Sequence, residues 1–112
     1  MTRRTNNALP QVSFSILLAL SLRARHGYEL MQQVEADSNG LVKLGPGALY
    51  GTVKQLLEEG LIQEVPSDDK RRRYYALTDK GLQRLGAELE YFDQTLRVAK
   101  QRNLLGDAIW QS

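Results

Sequence analysis

Cysteine is missing from this 112-residue chain, and histidine and tryptophan occur once each. Without cysteine there is no disulfide framework, no thiolate metal site and no cysteine nucleophile, which suits a reducing compartment. A lone histidine, His26, builds no histidine metal cluster, and its place between two apolar helical patterns fits a helix boundary better than catalysis. Gly45-Pro46-Gly47 is too short for a phosphate-cradling loop, and no pair of carboxylates stands apart from charged helical faces. No catalytic residue is assigned, no metal or cofactor is expected, and the chain is not expected to be an enzyme.

Long hydrophobic runs are also lacking. The longest, Phe14 to Leu22, is broken by serines and ends at Arg23 and Arg25, well short of the roughly 20 residues a membrane span needs. No small-residue cleavage site follows it. Neither secretion nor membrane association is expected, and the cytoplasm is the expected location.

Excess charge is the third absence. Fifteen Lys and Arg against thirteen Asp and Glu leave a net charge of +2, so the distribution carries more information than the sum. Arg3 and Arg4 lie near the start, Lys70, Arg71, Arg72 and Arg73 are consecutive, and acidic residues gather at Glu58, Glu59, Glu88, Glu90 and Asp93.

What is present is a succession of short elements. Residues 1–9 show no periodicity and are read as a flexible N-terminal arm. Pro10 suits the first turn of a helix, and Val12, Phe14, Ile16, Leu17, Leu18 and Leu20 then cover most of its circumference, so it is expected to be buried on several sides. Tyr28, Leu30, Met31 and Val34 mark a second helix ending near Asp37, and Leu41, Val42 and Leu44 suggest a brief strand. A third helix opens near Pro46 or Gly47, turns Leu49, Val53, Leu56 and Leu57 inward, and closes at Gly60 in the left-handed conformation. Residues 61–65 and 73–77 read as a β-hairpin around the turn Pro66 to Lys70, with Tyr75 and Leu77 inward and Tyr74 exposed.

Thr78 is the expected N-cap of a last helix running to about Leu105, although Gly81 stands where a capping-box acid belongs. Leu82, Leu85, Leu89, Phe92, Leu96 and Ala99 follow at alternating intervals of three and four, the spacing of a coiled-coil seam. With nothing after it to cover the stripe, this helix is expected to pair with a second copy.

Helix, helix, hairpin and long helix in this order predict a mainly α chain with a small β-hairpin (α+β). The expected architecture is a winged helix-turn-helix over residues 10–78, a dimerisation helix over 79–105 and a tail over 106–112. In such a fold the third helix enters the DNA major groove and the hairpin tip reaches phosphates. Tyr50, Thr52, Lys54 and Gln55 are the candidate contacts on the helix, and Lys70, Arg71, Arg72 and Arg73 those on the wing. The competing reading of the charge run is a solvated turn, with Asp68 and Asp69 partly cancelling its field and Arg73 within reach of Glu64.

Four blocks carry a family resemblance: Gly27-Tyr28-Glu29-Leu30-Met31, Gly47-Ala48-Leu49-Tyr50, Leu56-Leu57-Glu58-Glu59-Gly60-Leu61-Ile62 and Arg73-Tyr74-Tyr75-Ala76-Leu77-Thr78-Asp79-Lys80-Gly81. In this order, across residues 10–105, the chain resembles the PadR family of bacterial and archaeal transcriptional regulators. It departs where Gly51 replaces a frequent proline, and it is similar to the short subfamily with a single C-terminal helix. The resemblance implies a homodimeric repressor acting on a palindromic double-stranded operator and often released by a planar, aromatic or hydrophobic small molecule. It also implies an effector pocket at the dimer interface, for which Phe14, Leu17, Phe92 and Trp110 are the candidates here. The alternative from a different class is a winged-helix module that docks proteins instead of DNA.

Overall fold

The computed structural model describes residues 8–106. Arg3, Arg4 and Trp110 therefore lie outside the described residues. Pro10, φ −57° and ψ 153°, is the N-cap of α1 (Gln11–Ala19), and its carbonyl accepts the first helical bond, from Phe14 N–H at 2.9 Å. Ile16, Leu17, Ala19 and Leu20 are buried while Val12, Phe14 and Leu18 pack half-buried around them, so α1 is enclosed on several sides. Its C-terminal end is closed from outside the helix: buried Arg25 donates from Nε to Ala19 O at 2.7 Å, setting a cation on the negative end of the dipole.

Arg25–His26 forms a two-residue strand, β1, that leads directly into α2 (Gly27–Asp37). The expected strand around Leu41 to Leu44 does not form. Ser38 folds that loop back instead, its Oγ accepting from Val42 N–H at 2.9 Å, and Leu41 is left 89% exposed. Asn39 and Gly40, at φ 55° and 84°, make the turn.

Helix α3 (Pro46–Glu58) has Gly45 as N-cap and Pro46 at its first position, where a missing N–H breaks no bond. Leu49, Val53 and Leu56 are buried, whereas Leu57, expected inside, is 36% exposed. Leu57 falls at the edge of the stripe, a turn from Val53, and is not part of the core cluster. Gly60 at φ 75° ends the helix, with Leu61 N–H on Leu56 O at 3.0 Å and Gly60 N–H on Leu57 O at 3.1 Å, the paired bonds of a Schellman motif.

Strands β2 (Ile62–Val65) and β3 (Tyr74–Leu77) form the hairpin, and the antiparallel sheet order is β1-β3-β2. Ile62 faces Leu77 and Val65 faces Tyr74, while Arg25 and His26 pair with Tyr75 and Tyr74 on the other side of β3. Tyr75 is buried. Tyr74, expected outside, is half-buried because β1 brings His26 against its ring edge, with centroids 5.2 Å apart.

The start of α4 (Asp79–Gln101) is bolted to the end of α3. Thr78 accepts from Gly81 N–H at 3.0 Å and donates to Gly60 O at 2.6 Å, and Lys80 Nζ donates to Glu59 O at 2.8 Å. Gly81 lies so close to the Leu61 carbonyl that a Cβ would overlap its oxygen. The Thr-Asp-Lys-Gly block is thus an intramolecular clamp that satisfies the carbonyls a helix end leaves over.

Helix α4 has 23 residues, about 35 Å at 1.5 Å per residue, and stops at Gln101 instead of Leu105. Asn103 at φ 58° breaks it, with Leu104 N–H on Ala99 O and Asn103 N–H on Lys100 O at 2.9 and 3.1 Å. Leu85, expected in the seam, is 2% exposed and belongs to the protomer's own core. Leu82, Leu89, Phe92 and Leu96 remain 56, 42, 39 and 48% exposed, and Ala99 is half-buried. No described helix is long and apolar enough to cross a membrane.

Candidate nucleic-acid interface

With Leu49, Val53 and Leu56 committed to the core, α3 turns Gly47, Ala48, Gly51, Lys54, Gln55 and Glu58 outward. The face is small and uncharged at its start, basic at Lys54 and acidic at Glu58 and Glu59. This charge pattern suits a phosphate-lined groove at the N-terminal half of the helix and opposes one at the other end. Thr52 is half-buried at the edge of this surface.

Tyr50 lies on the flank facing the wing and is 49% exposed. Its hydroxyl sits over Gly27, where a Cβ would overlap it, which accounts for glycine at the first position of α2. Tyr50 then joins His26, Gly27, Tyr28, Tyr75, Arg71, Arg72 and Arg73 around a notch of about 240 Å³. One concavity thus brings together the N-terminus of α2, the flank of α3 and three wing arginines, a combination of fixed N–H groups and cations that suits an anion. Gln55 is not part of it. That side chain lines a separate groove with Pro10, Glu59, Leu61, Lys80 and Arg84.

The wing tip is folded by its own acids. Ser67 Oγ accepts from Asp69 N–H at 3.1 Å, and Asp69 Oδ1 accepts from Arg71 N–H at 3.0 Å. Asp69 also faces the guanidinium groups of Arg71 and Arg72 at 3.7 and 3.8 Å, partly cancelling them as expected. Arg73 does not make the expected pair with Glu64; the ion pairs of the wing run through Asp69. Lys70 is exposed at the tip. Burial, with the Glu64 carboxylate nearby, pushes the Tyr75 phenol up, against a smaller opposing effect of Arg73, so this notch-lining residue keeps its hydroxyl proton.

His26, placed at a helix boundary by its sequence context, is the N-cap of α2. Its Nδ1 lies 3.3 Å from Glu29 N–H while its own N–H donates to Glu29 Oε1 at 3.2 Å, a capping box with imidazole in the usual hydroxyl role. Burial raises the Glu29 carboxyl, but the hydrogen bonds from Arg23 and the His26 backbone and the neighbouring charges outweigh it and leave it below its ordinary value. The Nε2 of His26 meets Arg72 Nη1 at 2.9 Å. Sequence reading missed this contact, since 46 residues separate the partners.

Apart from the notch, Phe14 of α1 meets Phe92 of α4 edge-on at 5.2 Å and 89°. They line an apolar groove of about 740 Å³ with Leu9, Leu18, Val34, Val42, Tyr91 and Glu88. Glu88 is buried and paired with Arg84 at 3.1 Å. Leu17, a candidate for this pocket, is fully buried and absent from its lining, because α1 points it into the core. Among the described residues no group of three His, Asp or Glu is placed to hold a metal ion.

Residues 16–87 match the family described as Transcriptional regulator PadR-like family. The chain belongs to that family. This PadR-like chain is 32% identical over 97 residues to the Transcriptional regulator YqjI of Escherichia coli (strain K12), an alignment covering 87% of this chain and 46% of that protein. It thus spans about half the length of the curated relatives it matches. Among solved structures it is similar to H. salinarum RosR, with TM-score 0.65 and 26% identity over 86% of this chain and 92% of that one. A PadR family transcription regulator from Clostridium difficile R20291 shares the fold, with TM-score 0.70 and 22% identity over 82% of this chain and 97% of that one. The PadR-like match spans the notch and its clamp, from the middle of α1 to the first part of α4.

Proposed function

We propose that this PadR-like regulator binds double-stranded DNA as a homodimer, inserting the N-terminal half of α3 into the major groove and laying the wing arginines on adjacent phosphates. The observation that carries the reading is the shared notch: Tyr50 of α3 and Arg71, Arg72 and Arg73 of the wing line one concavity, so helix and hairpin address the same stretch of duplex. Tyr50 and Lys54 stand at the centre of the contact, with Thr52 and Gln55 at its edges and Lys70 at the wing tip. Homodimerisation is supported by the exposed apolar stripe Leu82, Leu89, Phe92 and Leu96 on α4. A symmetric dimer reads a palindromic operator with half-sites about one helical turn, or a multiple of it, apart. Repression by occupancy of that operator is the regulatory sense of the proposal. The groove between Phe14 and Phe92 is the proposed seat of a hydrophobic or aromatic effector, since it touches α4 and so couples occupancy to the pairing of protomers.

The test is an electrophoretic shift with the chain's own upstream duplex and a random duplex across a salt series. Preference for the upstream duplex with a steep loss in salt is the expected result. Absence of any shift at low salt overturns the proposal.

A further inference from the structure

His26 is addressed by more hydrogen-bond donors than one ring can accept. A neutral imidazole carries one N–H and one lone pair. Glu29 N–H, 3.3 Å from Nδ1, and the Arg72 guanidinium, 2.9 Å from Nε2, can only donate, so the cap on α2 and the link to the wing draw on a single lone pair. The other groups around the ring do not relieve the conflict. The Glu29 carboxylate lies 3.6 Å from Nε2 and is itself tied to Arg23 at 3.2 Å, Asp69 faces Arg72 from the wing, and Tyr74 presents its ring from β3.

We infer that His26 is a positioning residue with two mutually exclusive settings, and that a DNA phosphate at the wing drives it from one to the other. In the resting setting Nε2 accepts from Arg72 and Nδ1 carries the proton, so the ring does not accept the Glu29 N–H that it faces at 3.3 Å. The free protein takes this setting, the arginine contact being the shorter of the two. In the engaged setting Nδ1 accepts from Glu29 N–H, Nε2–H turns toward Glu29 Oε1, and Arg72 is released. An anionic phosphate oxygen is a stronger acceptor for guanidinium than a neutral imidazole, so a phosphate entering the notch takes Arg72 from the ring. The ring then caps α2, whose first residues, Gly27 and Tyr28, line the same notch. Phosphate contact by the wing and closure of the α2 N-terminus become one event.

The inference rests on the DNA-binding reading, and its test separates the two. His26 is the chain's single histidine, so ring-nitrogen NMR of histidine-labelled protein at about pH 8, above the ordinary histidine range, reports one pair of signals. Free protein should show Nδ1 protonated and Nε2 bare. Arg72→Ala, at an exposed wing position, should exchange the two signals without DNA, and saturating duplex should exchange them in the unaltered chain. Signals unmoved by Arg72→Ala, both nitrogens protonated in the free protein, or duplex binding without the exchange each overturn the inference. If no duplex binds, the DNA reading falls while the Arg72→Ala comparison still decides whether the ring has two settings.

Discussion

Two glycines at helix starts separate stability from function. At Gly81 the atom a Cβ would strike is the Leu61 carbonyl oxygen, part of the backbone that joins α3 to β2 and unable to move alone. Gly81→Ala should cost about 1–3 kcal/mol or more, the range of overpacking, read as a lower urea midpoint. At Gly27 the obstacle is the far end of the Tyr50 side chain, which can swing. Gly27→Ala should therefore unfold at nearly the same urea concentration as the unaltered chain yet bind duplex more weakly, because Tyr50 leaves the notch. Equal loss of stability in both variants would contradict the distinction. Glu29 carries a pH signature. Its carboxyl lies below its ordinary value in the fold, so its stabilising contribution is complete above the unfolded value and disappears as pH falls through the lowered folded one. Glu29→Gln keeps a capping-box acceptor but removes the titration, and should flatten the acid limb of the stability profile measured by urea unfolding.

At the scale of elements, legibility followed the strength of local signals. The Schellman end of α3 was visible in Gly60, and Gly60→Ala, forcing an L-residue to φ 75°, should lower stability by about 1–2 kcal/mol, checked by thermal unfolding. Asn103 carried the corresponding signal for the end of α4, weaker because asparagine enters the left-handed region less readily than glycine, and the helix was expected to run on. β1 is two residues long and has no periodicity to detect; it exists because β3 offers it a partner. The Leu41 to Leu44 stretch had strand composition, yet one hydroxyl, Ser38 Oγ, turned it into a loop, a case of local side-chain bonding defeating propensity. The candidate site was half visible. Arg71 to Arg73 and Tyr50 were found as exposed polar groups near a turn and a helix start, whereas their junction at His26 depended on a contact between β1 and the wing that only the folded sheet creates.

At the scale of the whole molecule, the spacing of apolar residues along α4 merged two sets of side chains. Leu82, Leu89 and Leu96 recur every seven residues and are exposed, while Leu85, one turn aside, is sealed in the protomer. A proposed dimer built on the first set and a core built on the second respond differently to substitution. Leu85→Ala should destabilise the fold by about 2–5 kcal/mol, with association of the folded fraction unchanged. Leu89→Asp should leave the protomer folded, because its side chain is already partly in water, but give a monomer in sedimentation experiments by placing a charge in the seam. Its DNA binding should weaken together with its dimerisation, since two half-sites read separately lose the gain of a linked second contact. Salt supplies the final discrimination. Arg71→Ala should lower the slope of log affinity against log salt by about one phosphate contact per subunit in the dimer, whereas in Leu89→Asp the slope should fall by about half, because only one wing engages each site. A monomeric Leu89→Asp protein with undiminished affinity and slope would remove the seam from the mechanism.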